Sequence, residues 1–155
     1  MSNSIFLLLT GALLYVAHTI RRLQPKQTNL VFYVHDYLTG HDTSAITVAG
    51  KEGPTSSILH FGTLLAVDDP VTEGPDIGSR EIGRAQVIFT DGEFKGSTLE
   101  IQGADVFSMK EREFSVVSGT GYFRFVKGYG ILETEFMDIA NLRAVLKLSV
   151  TVKHY

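Results

Sequence analysis

The chain has 155 residues and a net charge of −3, and 44% of its residues are hydrophobic. This balance is typical of one globular domain with a sizeable core, and it excludes the basic surface that nucleic acid would require. The absence of cysteine excludes disulfides and thiolate chemistry, and the five histidines lack metal-ligand spacing. We therefore expect no metal, no cofactor and no nucleic-acid partner.

An apolar segment occupies the N-terminus. Ile5 to Ile20 contains few polar residues, is short for a membrane span and suits the hydrophobic region of a secretory signal peptide. The basic pair Arg21-Arg22 follows this segment instead of preceding it, so an uncleaved anchor or an aberrant start is the alternative. The sequence predicts a signal peptide or leader with a linker over residues 1–28 and one domain over residues 29–155.

The first predicted strand runs from Leu30 to Asp36, is rich in aromatic and β-branched residues, and precedes a turn cluster. Side chains alternate between the two faces of a strand, so Phe32, Val34 and Asp36 share one face. If that face meets a core, the Asp36 carboxylate lies at its end. A carboxylate there must be paired, hydrogen-bonded, protonated or solvated.

Two later strands end their apolar face in the same way. Asp105 has the parity of Leu99 in a strand predicted over residues 98–105. Arg112 shares its parity with Phe114 at the start of the next strand. Two acids and one arginine at the ends of three apolar faces indicate a cavity with a polar floor. The alternative is that the three charged residues only mark the points at which strands leave the sheet.

The remaining pattern is a series of short strands separated by glycine-rich turns. Residues 144–152 alternate between apolar and mostly polar side chains, which predicts a strand with one buried face. Further strands are predicted over residues 44–49, 57–67, 83–90 and 122–126. No convincing helix follows the leader, so the sequence predicts an all-β antiparallel barrel or sandwich, and a closed barrel can enclose a small ligand.

The adjacent acids Asp68 and Asp69 precede Pro70 in a turn-rich loop. We interpret them as turn residues, since Asp side chains before a proline hydrogen-bond readily to the local backbone. A catalytic carboxylate pair is the less favoured alternative, because neighbouring residues in a strand point in opposite directions.

From Asn29 to Tyr155 the chain resembles the plant dirigent protein family. The resemblance depends on the order of many short blocks, each weak by itself. These blocks are LVFYVHD at 30–36, FG at 61–62, DDP at 68–70, TEGP at 72–75, GRAQ at 83–86, GSTL at 96–99, GAD at 103–105, SGTG at 118–121, FRF at 123–125 and KGY at 127–129. The blocks GSTL and FRF and the C-terminal HY are more similar to the broad dirigent-like subgroups than to the subgroup that makes pinoresinol.

The resemblance implies an eight-stranded antiparallel barrel of the dirigent and allene-oxide-cyclase-like type. It implies a homo-oligomer, a trimer or a dimer, that is secreted to the apoplast. Dirigent proteins direct the coupling of phenoxy radicals of monolignols, such as coniferyl alcohol, to one stereoisomer of a lignan. A laccase or peroxidase is the oxidant. Some relatives are enzymes that close rings on phenolic quinone methides, which is the alternative function.

The resemblance also implies the residues of the site. The acids of the family pocket lie in its His-Asp and Gly-Ala-Asp motifs, which are Asp36 and Asp105 here, and its arginine corresponds to Arg112. Strand parity places the same three residues inward, so we expect them to be catalytic. Three further residues, Phe32, Val34 and Phe114, are the expected substrate-binding walls.

The chain departs from the family pattern after Gln86. In the family the Gly-Arg-Ala-Gln strand continues, turns and returns along a second long strand that includes a pocket tyrosine, whereas here Gln86 leads directly into Val87. About one hairpin is therefore absent, which predicts either an open sheet edge or a re-paired, smaller barrel. Residues 138–143 also lack the usual glycine-rich turn. A non-functional shortened member, or a barrel that only binds a small molecule, is a further alternative.

Overall fold

The computed structural model describes residues 2–22, 24–50, 63–85, 88–106 and 108–155. The N-terminal apolar segment forms helix α1, Ser2–Arg22, and side chains along its middle, such as Leu9 and Leu13, are exposed. Of the helices in this described part of the chain, none has the length and apolarity that crossing a membrane requires. Strand pairing begins at Lys26, before the domain boundary predicted at Asn29.

In the part of the chain that the structure describes, ten strands follow helix α1. Their bounds are β1 Lys26–Tyr37, β2 Ala45–Ala49, β3 Leu64–Val67, β4 Pro70–Thr72, β5 Glu81–Arg84, β6 Ile88–Phe89, β7 Leu99–Gln102, β8 Glu111–Gly119, β9 Lys127–Asp138 and β10 Arg143–His154. Within the described residues, strands β2 and β3 pair only with each other and form a separate two-stranded arm. The other eight form one antiparallel sheet.

The eight-stranded sheet curls into a nearly closed barrel. Its order is β6-β5-β4-β1-β10-β9-β8-β7. The two outermost strands meet again through an antiparallel bridge between Ile88 and Thr98 and through a backbone hydrogen bond of 3.0 Å from Phe89 to Ser97. The expected all-β antiparallel barrel is therefore confirmed.

The shortened region after Gln86 is a reduced hairpin. Strands β5 and β6 pair through Gly83 with Phe89 and through Arg84 with Ile88, so the chain reverses between Arg84 and Ile88. The single strand predicted over residues 83–90 is wrong for this reason, while Gln86 and Val87 lie outside the described residues. Neither the open sheet edge nor the re-paired, smaller barrel is fully realised. The very short strands β5 and β6 still connect β4 to β7.

The core fills the barrel interior. The predicted alternation in β10 is confirmed, because Leu148, Val150 and Val152 are buried. The strand predicted over residues 122–126 is wrong, because residues 121–123 form a 3-10 turn. Phe123 in this turn is fully buried and packs in the core cluster at this end of the barrel. Each such side chain contributes about 1.5–3 kcal/mol by leaving water, which explains why this end of the barrel is closed by packing. Of the strand predicted over residues 57–67, only residues 63–67 are described, and β3 occupies 64–67.

Candidate functional site

The site lies at the barrel end opposite Phe123. Neighbouring strands run in opposite directions, so the C-terminal ends of β1, β9 and β7 meet the N-terminal ends of β10 and β8 there. A cavity of about 430 Å³ opens at this mouth. Its volume is in the range of pockets that hold small organic molecules.

The structure brings the three charged residues predicted from the sequence into this one cavity. Asp36, near the end of β1, Arg112, at the start of β8, and Asp105 all line it. Asp105 reaches the cavity from a loop, because β7 ends at Gln102, so the strand predicted to extend to Asp105 is wrong. The pairing of β7 with β8 shifts at Glu100, and the chain leaves the sheet soon afterwards.

Arg112 is held in the cavity by three hydrogen bonds. Its Nε donates to Asp105 Oδ1 at 2.9 Å, and its Nη1 donates to Thr134 Oγ1 at 2.8 Å and to the Met109 carbonyl at 3.2 Å. The arginine side chain is 1% exposed and the Asp105 side chain 46% exposed, so Asp105 is the solvent-facing partner of the pair. Arg112 Nη2 is buried and has no hydrogen-bond partner among the described residues.

Asp36 is in a different electrostatic situation from Asp105. Burial raises the pKa of the Asp36 carboxyl above its ordinary value, and the negative charge of Asp105 raises this pKa further. Asp36 Oδ1 is buried and lacks a hydrogen-bond partner in the described part of the chain. The protonated form of Asp36 therefore persists to higher pH than that of an exposed aspartate, which suits a general acid.

An unpartnered donor and an unpartnered oxygen thus occur in the same cavity. Leaving a buried polar group unsatisfied costs about 1–3 kcal/mol. A ligand oxygen that accepts from Arg112 Nη2, and a ligand group that hydrogen-bonds to Asp36 Oδ1, would recover part of this free energy. The polar floor consequently favours a ligand with hydroxyl or carbonyl oxygens on an otherwise apolar body.

The apolar walls differ from the three residues expected from the sequence. Among the described residues, the apolar lining consists of Leu38, Leu65, Met137, Ile139, Leu142, Ala144 and Leu146. Phe32, Val34 and Phe114 lie deeper: Phe32 packs edge-on against Phe89 at 6.4 Å between ring centroids, and the other two pack on the same core cluster. None of these three lines the cavity.

Sequence reasoning missed part of these walls because several residues come from loops and from the arm, whereas Met137, Ala144 and Leu146 belong to β9 and β10. Leu65 belongs to β3, and Ile139 and Leu142 belong to the connection between β9 and β10. The available signal was the large apolar residue Ile139 within residues 138–143, the segment that lacks the glycine-rich turn usual in the family.

Two loops are tied together at the rim of the cavity. Arg143 pairs with Asp42 at 2.6 Å and stacks over the Tyr37 ring at 4.8 Å. Thr39 Oγ1 donates to the Asn141 carbonyl at 2.5 Å. The turn at Leu142 has a positive φ of 48°, which is an unfavourable conformation for a leucine. These contacts hold the connection between β9 and β10 against the connection between β1 and β2.

The fold and the cavity define an antiparallel barrel whose mouth has the volume of a small-molecule pocket. A family model described as dirigent-like protein matches residues 27–89 and 86–153. Dirigent protein 11 of Arabidopsis thaliana is 39% identical over 147 residues, covering 83% of this chain and 75% of the relative. Pterocarpan synthase 1 of Glycyrrhiza echinata is 37% identical, covering 85% and 80%. The chain belongs to the dirigent family.

Solved structures agree with this assignment. Two structures of pterocarpan synthase dirigent proteins are 35% and 37% identical to this chain, each with a TM-score of 0.77. They cover 86% and 85% of this chain, and this chain covers 87% and 97% of theirs. The barrel and its topology are therefore those of the family.

The alignments also support the shortened hairpin. The 147 positions aligned with Dirigent protein 11 take up 83% of the 155 residues, about 129 residues, which leaves about 18 positions of the relative without a counterpart here. The two segments matched by the family model meet at residues 86–89, where β5 and β6 reverse. The junction of the two matched segments thus coincides with the short hairpin of β5 and β6, which pair at only two positions among the described residues.

Proposed function

We propose that this dirigent protein binds a phenolic small molecule at the barrel mouth and directs the stereochemistry of phenoxy-radical coupling. The substrates are monolignols such as coniferyl alcohol, and the protein does not oxidise them itself. The observation that supports this most directly is the combination of apolar walls with a polar floor formed by Asp36, Asp105 and Arg112. The membership of the dirigent family supports the same role.

The chemistry of the floor suits the product of coupling. Two phenoxy radicals that join through carbon form a quinone methide, whose carbonyl oxygen gains negative charge as a nucleophile attacks. A protonated Asp36 can donate to that oxygen, and Arg112 Nη2 can hold a phenol or phenolate oxygen. Apolar walls such as Leu65 and Leu146 then need only to present one face of the substrate.

The second candidate function is an enzyme that cyclises or dehydrates a phenolic quinone methide. The raised pKa of Asp36 favours it, because an acid that stays protonated accelerates the step that captures the quinone methide. Asp105, held by Arg112, is a carboxylate that can accept the proton of the attacking hydroxyl. The similarity to proteins named pterocarpan synthase supports this reading as well.

Further parts of the proposal concern the setting in which the protein works. We expect a laccase or peroxidase to supply the oxidant, and a homo-oligomer, a trimer or dimer, to be the assembled form. The resemblance to apoplastic dirigent proteins supports secretion. The apolar helix α1 is consistent with a signal peptide over residues 1–28 ahead of a barrel domain.

Chiral chromatography tests the leading function. Coniferyl alcohol is oxidised by a laccase with and without the full chain, and we expect an enantiomeric excess only with the protein present. Asp105→Asn should remove this excess, whereas Glu93→Gln, a change of an exposed acid on the hairpin between β6 and β7, should preserve it. A racemic product from the folded wild-type chain would contradict radical coupling.

The same protein preparation tests the second function. A phenolic quinone methide generated in the absence of any oxidase is offered to the protein, and its consumption is followed with the configuration of the product. Turnover that depends on Asp36 would establish the enzyme. Consumption at the rate of the protein-free control would rule it out for that substrate.

A further inference from the structure

Asp69 is a buried acid that does not line the cavity. Asp69 immediately precedes β4 and is 4% exposed. Strand β1 pairs with β4 through Tyr33 with Thr72 and through Val34 with Val71. Continued by two residues, this antiparallel register places Asp36 opposite Asp69, with both side chains on the inward face that Val34 and Val71 define. Residues paired in this way have Cβ atoms about 4.5–5.5 Å apart.

Among the described residues, the Asp69 side chain accepts one hydrogen bond and forms no ion pair. Ser44 Oγ donates to Asp69 Oδ1 at 2.6 Å and accepts from the Tyr37 backbone N–H at 3.1 Å, so the serine hydroxyl proton is directed at Asp69. The nearest arginine, Arg84, pairs with Asp68 instead, through Nε at 3.1 Å. Among the described residues no ion pair neutralises Asp69.

The half-buried Asp36 and the buried Asp69 cannot both be ionised in this arrangement without a large electrostatic cost. Like charges directly opposite each other on neighbouring strands destabilise a sheet, and the low dielectric of the interior increases their repulsion. A shared proton removes this cost, because one carboxyl is then neutral and the other carries the single charge.

We propose that Asp36 and Asp69 form a carboxyl dyad that shares one proton, with Asp69 as a positioning residue that keeps this proton available at the cavity. The use of the proton depends on the proposed function. When Asp36 acts, its O–H bond breaks and an O–H bond forms on the quinone methide oxygen, and the dyad regains one proton from solvent. Asp69 is absent from the cavity lining, so it acts on the substrate only through Asp36.

The electrostatics of the neighbouring groups are consistent with the dyad. Burial raises the pKa of Asp69 to about 6, the hydrogen bond from Ser44 opposes this, and the charge of Asp36 adds to it. Arg84 lowers the pKa of Asp69 and Asp68 raises it. Asp105 faces Asp36 and raises its pKa. Burial and repulsion therefore act in the same direction on both acids.

Reciprocal titration tests the dyad independently of any activity. The full chain is labelled with ¹³C at the aspartate carboxyls and titrated by NMR as wild type and as Asp36→Asn, Asp69→Asn and Asp68→Asn. We expect Asp36→Asn to lower the pKa of Asp69, and Asp69→Asn to lower that of Asp36, each by about one unit. The control Asp68→Asn, at the adjacent and exposed acid, should leave the titration of Asp36 unchanged.

An unchanged titration of Asp69 in Asp36→Asn would overturn the dyad. This variant keeps Asp69 and its bond to Ser44, so the test remains decisive if Asp69→Asn fails to fold. A purely structural role for Asp69 would not produce reciprocal shifts.

The pH dependence of the enantiomeric excess tests whether the dyad supplies the proton that Asp36 donates. Activity that needs a protonated Asp36 falls as pH rises through the upper apparent pKa of the pair. Asp69→Asn removes the neighbouring charge, so this alkaline limb should move to lower pH by about one unit. If the alkaline limb of Asp69→Asn lies at the same pH as that of the wild type, the positioning role of Asp69 is overturned. Reciprocal NMR shifts together with a racemic product at every pH would support the dyad and contradict the proposed function instead.

Discussion

The barrel has a long wall and a short wall. The long wall consists of β8, β9, β10 and β1, with 9, 12, 12 and 12 residues, and the short wall consists of β4, β5, β6 and β7, with 3, 4, 2 and 4 residues. Both walls contribute to one core, since Leu148 and Leu99 are each buried. No residue of the four short-wall strands lines the cavity, although Asp105 lies in the connection after β7, whereas each of the four long-wall strands contributes at least one lining residue.

This difference indicates that closing the barrel and building the site need different lengths of strand. Two-residue and four-residue strands are sufficient to connect the ring, because each added backbone pair only has to continue the hydrogen bonding. A cavity above the core requires strands that extend beyond it, and only the long wall has them. The shortened hairpin therefore lowers one side of the mouth while the polar floor remains assembled.

The largest expected effect is on stereocontrol, and it compares one arginine from each wall. Arg112→Met on the long wall removes the group that holds Asp105, so we expect the enantiomeric excess to be lost. Arg84→Met on the short wall removes an exposed pair with Asp68, which is worth about 0–1 kcal/mol, and should preserve the excess. Chiral chromatography checks both variants. Equal losses from the two would show that the short wall also builds the site.

The next prediction concerns the free energy of unfolding. Leu148→Ala on the long wall empties a fully packed position and should cost about 2–5 kcal/mol. Ile88→Ala on the short wall truncates a side chain that is 40% exposed and should cost less than about 1.5 kcal/mol. Urea unfolding followed by circular dichroism measures both. A larger cost for Ile88→Ala than for Leu148→Ala would indicate that stability depends more on the closure of the barrel at Ile88 than on the core of the long wall.

A pH-dependent effect is predicted at the junction of the two walls. The pKa of Asp69 is about 6 in the folded chain and near 3.8 when unfolded. Between these values the folded state retains a proton that the unfolded state has lost, so stability falls as pH rises through this window. The loss is at most about 3 kcal/mol, at 1.36 kcal/mol per pKa unit. Asp69→Asn should flatten this dependence in urea unfolding series from pH 4 to pH 8, and an unflattened curve would mean that other groups titrate there.

The smallest effect is expected at Phe125, away from both walls. Its φ of 63° is unfavourable for a side chain with a Cβ, and the ring is 78% exposed. Phe125→Gly should therefore raise the unfolding free energy by about 1 kcal/mol, because it relieves strain and loses little burial. Thermal unfolding checks this. A decrease in stability would show that the exposed ring has a partner in the assembled protein.

Local patterns in the sequence identified several strands correctly. Strands β1 and β10 follow from the alternation of apolar and polar residues, because side-chain direction in a strand has a period of two. The strand predictions failed where the alternation of apolar and polar residues ends. Asp105 is in a loop and Phe123 is in a 3-10 turn. Turns depend on contacts with the rest of the chain, which no local pattern contains.

The sequence by itself determined which charged side chains point inward, since Asp36 and Arg112 hold the parity of their apolar neighbours. Only the tertiary structure decided how they are partnered. Arg112 pairs with Asp105, while the continued register of β1 and β4 places Asp36 opposite Asp69, a residue that the sequence analysis interpreted as part of a turn. The cavity walls were likewise set by the register and by loop contacts such as that between Thr39 and Asn141. Register joins residues that are distant in the chain, so its consequences cannot be obtained from the spacing within one strand.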